Sequence, residues 1–236
     1  MTNWAIIAAA GRSERLGGKN KMFVPLLGRP ILSYTIDIFE KCKSVDKIIL
    51  VAVEKEIEKY KDLVKSFKFK KIASIIIGGK ERQDSVFNGL KEIERLGAKK
   101  EDIVIIHNGA NPLVQEKEIN GCIDTAKETN ASVAAVPVKD TIKIVDRDLF
   151  AISTPDRKTL WAMQTPQVIK FGIAMRAFQK AFENKFYGTD DVQLIERIRH
   201  MVKIVHCSYE NFKITTPEDV VFAERILEKR GIKNAN

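Results

Sequence analysis

The chemistry of this chain starts at its amino terminus, where the apolar run Trp4 to Ala10 passes into Gly11-Arg12-Ser13-Glu14-Arg15-Leu16-Gly17-Gly18, followed by Lys19-Asn20-Lys21. Small residues let a ligand approach the backbone closely, and successive N–H groups can form a nest for an anion. Arg12, Arg15, Lys19 and Lys21 crowd positive charge into the same stretch. The pattern is neither GxxxxGK[ST] nor the dinucleotide GxGxxG. Taken alone it reads equally well as a tight solvent loop with ordinary lysines. Its place after a strand is what points to a ligand, because open α/β sheets bind theirs outside the carboxyl ends of strands. A second glycine pair, Gly78-Gly79, also follows an apolar run and leads into Lys80-Glu81-Arg82-Gln83-Asp84-Ser85.

Both loops need a sheet to hold them. Short runs rich in Val and Ile alternate with longer amphipathic stretches, the signature of βαβ units around a mostly parallel sheet. Strands are expected near Trp4–Ala9, Lys47–Val53, Ile72–Ile77, Ile103–Ile106, Ser132–Val136 and Lys203–Cys207. Helices are expected over Ile31–Lys41, Glu54–Phe67, Gln83–Leu96, Glu116–Glu128, Phe171–Glu183, Asp190–Arg199 and Pro217–Lys229. Right-handed crossovers place them on both faces, giving a Rossmann-like three-layer α/β/α architecture. The rhythm breaks at Pro137. From Val138 to Leu160 the chain shows β-alternation around the turn residues Asp146, Arg147 and Asp148, which predicts a hairpin arm. Such an arm either folds onto its own domain or finds a second subunit. No linker or repeat divides the chain, so residues 1–232 read as one domain, with 138–160 as the projecting arm and 233–236 as a short tail.

Composition narrows the class. The 236 residues are 44% hydrophobic and 30% charged, which argues against a disordered or membrane-embedded chain. The amino terminus lacks the basic flank and cleavage site of a signal peptide, and no apolar stretch nears the roughly 20 residues of a membrane span. Cys42, Cys122 and Cys207 are too widely spaced for a metal knuckle or a dense disulfide framework, so a reducing, cytoplasmic location is expected. The net charge of +9 would suit nucleic acid, an anionic membrane face or phosphorylated small molecules. The lysines fall mostly in mixed-sign helical runs, and no RNA-binding signature or basic stripe interleaved with aromatics is present. Small phosphorylated substrates are therefore the expected partners, rather than nucleic acid or membrane.

The first loop resembles the AAGxGxRMG…K signature of nucleotidyltransferases that activate sugars and polyols. Five later segments narrow the likeness: Gly78 to Val86, Pro137 to Lys143, Leu160 to Gln167, Thr189-Asp190-Asp191, and Phe212 to Asp219. In this order and spacing they resemble the 2-C-methyl-D-erythritol 4-phosphate cytidylyltransferase family across nearly the whole chain. The resemblance implies transfer of CMP from CTP to the phosphate of a polyol phosphate, with Mg²⁺ held mainly by the CTP phosphates. It assigns Arg15, Lys21 and Lys213 as catalytic cations, with Lys213 also touching the acceptor. CTP would contact Ala9, Ala10, Gly11, Arg12, Ser13, Gly79, Arg82, Asp84 and Ser85. Asp84 or Ser85 can equally cap the helix that starts there. Asn108, Asn111, Thr141, Arg157 and Thr165 stand at acceptor positions. In the family the equivalent of Arg157 reaches the neighbouring subunit's site from the arm, which implies a homodimer. No metal ligand can be assigned.

The chemistry implied needs no general base. A phosphate monoester has a second pKa of about 6 and is mostly dianionic at neutral pH. Catalysis then reduces to holding two anions in line and stabilising charge on the leaving pyrophosphate.

The chain departs from the family at His107-Asn108-Gly109-Ala110-Asn111-Pro112, where His-Asp-x-x-Arg-Pro is usual. A carboxylate and a guanidinium are lost together and the local net charge is unchanged, so the two positions are expected to act as a unit. Serine also stands at position 13 in place of the usual glycine. These departures leave two other readings open: a cytidylyltransferase for another polyol phosphate such as ribitol 5-phosphate, or a non-catalytic nucleotide-sensing or nucleic-acid-binding homologue. His107 is expected to be structural. Restoring both charges with Asn108→Asp and Asn111→Arg should change the ratio of kcat/KM for methylerythritol phosphate and ribitol 5-phosphate by about 10-fold or more, measured as pyrophosphate release from CTP. An unchanged ratio would remove both positions from acceptor selection.

Overall fold

The computed structural model describes residues 1–11 and 20–234. In chain order the elements are β1 (Asn3–Ala8), β2 (Pro25–Leu26), β3 (Arg29–Pro30), α1 (Ile31–Lys41), β4 (Lys47–Ala52), α2 (Ile57–Ser66), β5 (Ile72–Ile77), α3 (Arg82–Arg95), β6 (Ile103–Asn108), α4 (Glu116–Thr129), β7 (Ala131–Pro137), β8 (Ile144–Val145), β9 (Ala151–Ser153), β10 (Trp161–Lys170), α5 (Phe171–Glu183), α6 (Val192–Arg197), β11 (Lys203–His206) and α7 (Pro217–Lys229). Seven strands form one sheet in the order β11-β7-β10-β6-β1-β4-β5. All pairings are parallel except those of β10, which runs antiparallel between β6 and β7.

Strand alternation sends successive side chains to opposite faces, and each face buries its own core. Ala5 and Ile7 of β1 pack with Leu32, Ile36 and Phe39 of α1, Tyr60 and Leu63 of α2, and Ile119 and Ile123 of α4. Trp4 and Ile6 pack on the other side with Val86 and Leu90 of α3, Phe178 of α5 and Ile195 of α6. A third cluster seats Ala223 and Leu227 of α7 against Leu26, Ile31 and Leu113.

The main departure from expectation is β10. The sequence Trp161 to Lys170 carries turn-like Gln164-Thr165-Pro166 in its middle, which hides its strand character. The register shifts between Met163 and Gln167, so this segment is a bulge inside an otherwise continuous strand. The predicted helix at Asp190–Arg199 is shorter, α6 covering Val192–Arg197, and the Asp191 and Val192 amides at its start, which have no intrahelical partner, donate to Gln167 Oε1 at 2.9 and 3.1 Å. Glu54 to Glu56 form a separate 3₁₀ turn ahead of α2. The tiny β2–β3 hairpin was not expected. It turns through Leu27 (φ 44°) and Gly28 (φ 77°), the positive-φ pair of a tight hairpin, and the Leu27 amide is held by Glu224 Oε1 at 3.1 Å.

The arm leaves the sheet where β7 and β10 part, just beyond the Pro137–Trp161 pairing. β7 lies parallel to β6 through their shared antiparallel neighbour, so the arm emerges from the same end of the sheet as the carboxyl termini of β1 and β6. Its tip is the short β8–β9 pair, and it carries Ile144, Leu149, Phe150 and Ile152 exposed, with Leu149 at 80% and Phe150 at 72%.

Asp102 ties the opposite end of the sheet together. Its carboxylate accepts from the Thr2 amide at 2.8 Å, the Lys99 amide at 3.0 Å and Trp4 Nε1 at 3.4 Å. Burial alone would raise its pKa, but these donors outweigh burial and hold it below the usual carboxylate value. The folded state therefore binds this proton less tightly than the unfolded chain. The stabilisation is complete above about pH 4 and is lost as pH falls through the folded value. Asp102→Asn is expected to cost about 1.5–3 kcal/mol at pH 7. In denaturant titrations the gap from the parent protein should narrow steadily below pH 4.

Candidate active site

Sheet connectivity dictates where a pocket can open. From β1 the chain moves outward to β4 and β5, then returns to β6 on the other side of β1. The connections after β1 and β6 therefore diverge, and the crevice between their carboxyl ends is the switch point at which open α/β sheets take ligands. A cavity of about 290 Å³ lies there. It is lined by Ala8, Ala10 and Gly11 after β1, by Lys21 and Met22, by Gly79 to Arg82 and Ser85 at the start of α3, by Asn108 and Ala110 at the end of β6, and by Lys213.

Each wall has a local cause. The Gly109 amide donates to Ala8 O at 2.9 Å, and the Ile214 amide donates to Ala110 O at 2.8 Å. The second bond carries the segment before α7 across the end of β6 and brings Lys213 to the cavity. Gly78 lies against β1's exit so closely that a Cβ there would collide with the Ala10 methyl and with Ser85 Oγ. Ser85 is buried, and its hydroxyl accepts from the Gly79 amide at 3.0 Å and donates to Glu81 O at 3.1 Å, shaping the turn into α3.

The structure thus gathers Ala10, Gly11, Lys21, Gly79, Arg82, Ser85, Asn108 and Lys213 from the expected site residues. Others take different places. Ala9 is buried beneath the cavity, its amide bonded to Val51 O at 2.9 Å and its carbonyl accepting from the Tyr60 hydroxyl at 2.8 Å. Asp84 forms a capping box with Glu81, accepting its amide at 2.8 Å, and its other oxygen accepts from the Tyr187 hydroxyl at 3.2 Å. Helix capping, the alternative weighed from sequence, accounts for one oxygen, and the Tyr187 hydroxyl for the other. Asn111 and Thr165 are buried behind Asn108: Asn108 Nδ2 donates to Asn111 Oδ1 at 3.3 Å, and the Asn108 amide donates to Thr165 Oγ1 at 3.4 Å. Thr141 and Arg157 are exposed on the arm and do not line this cavity; Arg157 Nη1 donates to Lys139 O at 2.7 Å. Arg12, Ser13 and Arg15 lie outside the described residues.

Arg82 differs most from expectation. Its fork is spent on the buried Asp191 carboxylate, with Nη1 and Nη2 each 2.7 Å from an oxygen, and its Nε donates to Asn108 Oδ1 at 3.3 Å. Asp191 is held by Gln167, which was not singled out from sequence and whose Oε1 accepts the Asp191 amide. Arg82 therefore contributes orientation to Asn108 more than free charge to a ligand. His107 is fully buried, and desolvation together with the nearby Arg82 charge pushes its pKa down to about 4, against the opposing pull of its bond to the Asn111 carbonyl. Neutral near pH 7, it serves as a structural donor. Lys80 and Glu81, which sequence reasoning did not count as site residues, also face the cavity.

Among the described residues no group of three His, Cys, Asp or Glu side chains is placed to hold a metal. At the cavity wall the Asn108 amide oxygen is a neutral donor, weak for a hard cation such as Mg²⁺. The described residues do not by themselves build a magnesium cage.

Breaking the Arg82–Asp191 pair from one side should be costly, because it strands a buried carboxylate. Arg82→Leu is expected to destabilise by about 3 kcal/mol. The double change Arg82→Leu, Asp191→Leu should recover part of that loss, as read from urea midpoints.

Comparison with known proteins agrees with this geometry. The family model described as 2-C-methyl-D-erythritol 4-phosphate cytidylyltransferase (IspD) matches residues 4–229. A protein of that name from Clostridioides difficile is 45% identical over 235 residues, covering 98% of this chain and 96% of its own. Another from Halalkalibacterium halodurans is 44% identical over 226 residues, covering 95% and 96%. Among solved structures, 4-diphosphocytidyl-2C-methyl-D-erythritol synthase from Anaerococcus prevotii superposes with a TM-score of 0.83 at 31% identity, with 96% of each chain covered.

Proposed function

The chain belongs to the 2-C-methyl-D-erythritol 4-phosphate cytidylyltransferase family, and from that premise we propose how its pocket performs the family's reaction. It is a nucleotidyltransferase that moves CMP from CTP to the phosphate of 2-C-methyl-D-erythritol 4-phosphate in the non-mevalonate route to isoprenoid precursors. An oxygen of the acceptor phosphate bonds to the α-phosphorus of CTP. The bond from that phosphorus to the β-bridging oxygen breaks, and its electron pair leaves with pyrophosphate. The dianionic acceptor is already a nucleophile, so the protein's task is alignment and charge stabilisation.

One observation carries this reading. Lys21, from the segment after β1, and Lys213, from the segment before α7, line a single cavity with Gly79, Ser85 and Asn108. The nucleoside end of CTP takes the small-walled side formed by Ala10, Gly79 and Ser85, where there is room for a base beside backbone hydrogen-bonding groups. The phosphates face Lys21, and Lys213 meets the acceptor; Arg15, outside the described residues, keeps the catalytic role that the family resemblance gives it. Preorganised cations of this kind act on charge that develops in the transition state. A divalent cation such as Mg²⁺, held mainly by the triphosphate of CTP, would neutralise part of its charge.

Residues 1–232 form the catalytic unit, and two copies pair through their arms. The exposed Ile144, Leu149, Phe150 and Ile152 support this, being an apolar surface that a second copy would cover. Arg157, at the base of the same arm, suits a phosphate through its planar fork. The enzyme resides in the cytoplasm, where its free thiols Cys42, Cys122 and Cys207 stay reduced.

Pyrophosphate release with CTP and methylerythritol phosphate is the direct test. Turnover is expected, and Lys21→Ala and Lys213→Ala should each lower kcat by about 10²–10³-fold with unchanged circular dichroism. Turnover with ribitol 5-phosphate alone would overturn the acceptor. Mixing Arg157→Ala with Lys213→Ala protein should restore activity that neither has alone, and failure to complement would overturn the shared site.

A further inference from the structure

We propose that Tyr60 is a positioning residue for the nucleotide pocket, its hydroxyl fastening together Ala9, where the chain leaves β1, and Asn20, just ahead of Lys21. The proposal rests on reading the cavity as the CTP site. Tyr60 lies on α2, fully buried, and does not itself line the cavity. Its hydroxyl donates to Ala9 O at 2.8 Å and accepts from Asn20 Nδ2 at 3.0 Å. One oxygen thereby bonds both sides of the stretch 10–19.

Each bonded neighbour leads directly into the cavity wall. Ala9 precedes Ala10 and Gly11, and Asn20 precedes Lys21 and Met22, all four of which line it. Asn20 is itself tightly held. Its Nδ2 also donates to the Glu56 carboxylate, and its Oδ1 accepts from the Met22 amide at 3.1 Å, capping the 3₁₀ turn Lys21–Phe23. The Phe23 ring meets the Tyr60 ring edge-on at 5.0 Å. Burial pushes the Tyr60 hydroxyl up to about 12, so it keeps the proton it donates to Ala9. Bonding two segments through one oxygen limits their relative displacement. In phosphoryl transfer a cation displaced by about 1 Å loses much of its value, on the order of 10² in rate.

Tyr60→Phe removes this oxygen and keeps the ring against Phe23. Its kcat/KM for CTP should fall by about 10–100-fold, with the melting midpoint lowered by only about 2–4 °C. Leu63→Ala, a cavity-forming change on the same helix, serves as the control for a purely structural role: it should lower the midpoint at least as far while leaving kcat/KM within about 2-fold of the parent. If Tyr60 acts through Lys21, the Lys21→Ala loss should be smaller in the Tyr60→Phe background than in the parent. Unchanged kcat/KM in Tyr60→Phe, an equal loss in Leu63→Ala, or strictly multiplicative losses with Lys21→Ala would each overturn the proposal. CTP binding by calorimetry separates it from the function on which it rests. A parent protein that binds CTP, with an unweakened Tyr60→Phe variant, sinks the clasp alone. A parent protein that does not bind CTP sinks the pocket assignment and the clasp with it.

Discussion

The parting of β1 and β6 at their carboxyl ends governs the rest of this molecule. Because the chain builds outward from β1 in one direction and then crosses back to continue on the other side, the connections after those two strands diverge and cannot cover the gap between them. Backbone that would otherwise be sheathed by helices is left facing a cavity. Three segments that reach the cavity are bonded at or just beyond strand ends: Gly109 to Ala8, Ile214 to Ala110 and Gly78 to Ala52. Without that gap, Lys21 and Lys213 would have no common space to face.

Charge is then distributed by depth. Beneath the cavity lie Asp191, matched by Arg82, and His107, held uncharged. At its wall stand Lys21, Lys80 and Lys213, with Glu81 and Arg82. This arrangement suits two phosphorylated substrates that repel each other, since an unpaired charge below would be costly to bury while fixed cations at the wall meet ligand charge where it develops. The Asn108–Asn111 pair fits the same pattern. Two neutral amides, hydrogen-bonded to each other and one of them oriented by Arg82, add no net charge at this end of β6.

The β-arm follows from the antiparallel insertion of β10. To enter the sheet between β6 and β7 against their direction, the chain must leave β7 at its carboxyl end and return from that same end, and the arm is that excursion. It therefore stands beside the pocket end of the sheet. Its apolar tip has no cover among the described residues.

Periodicity alone determined most of the parallel strands and the helices, because alternating Val and Ile runs have one way to bury both faces and amphipathic stretches have one face to hide. The two glycine loops, with the small residues that ligand approach demands, were legible for the same local reason. What sequence could not decide is what a side chain meets across the fold. Arg82 lines the cavity, but nothing along the chain shows that Asp191, over a hundred residues away, occupies its fork. Asp84 looked fit to cap or to bind, and in the fold one of its oxygens caps α3 while the other meets the Tyr187 hydroxyl. β10 escaped notice because its bulge carries turn residues in mid-strand. Tyr60 reads as one more buried aromatic, yet only the packing of α2 beneath β1 brings its hydroxyl to Ala9 and Asn20 together. Patterns of burial are local and periodic, and so can be read along a chain; hydrogen-bond partners are long-range and particular, and exist only once the chain has folded.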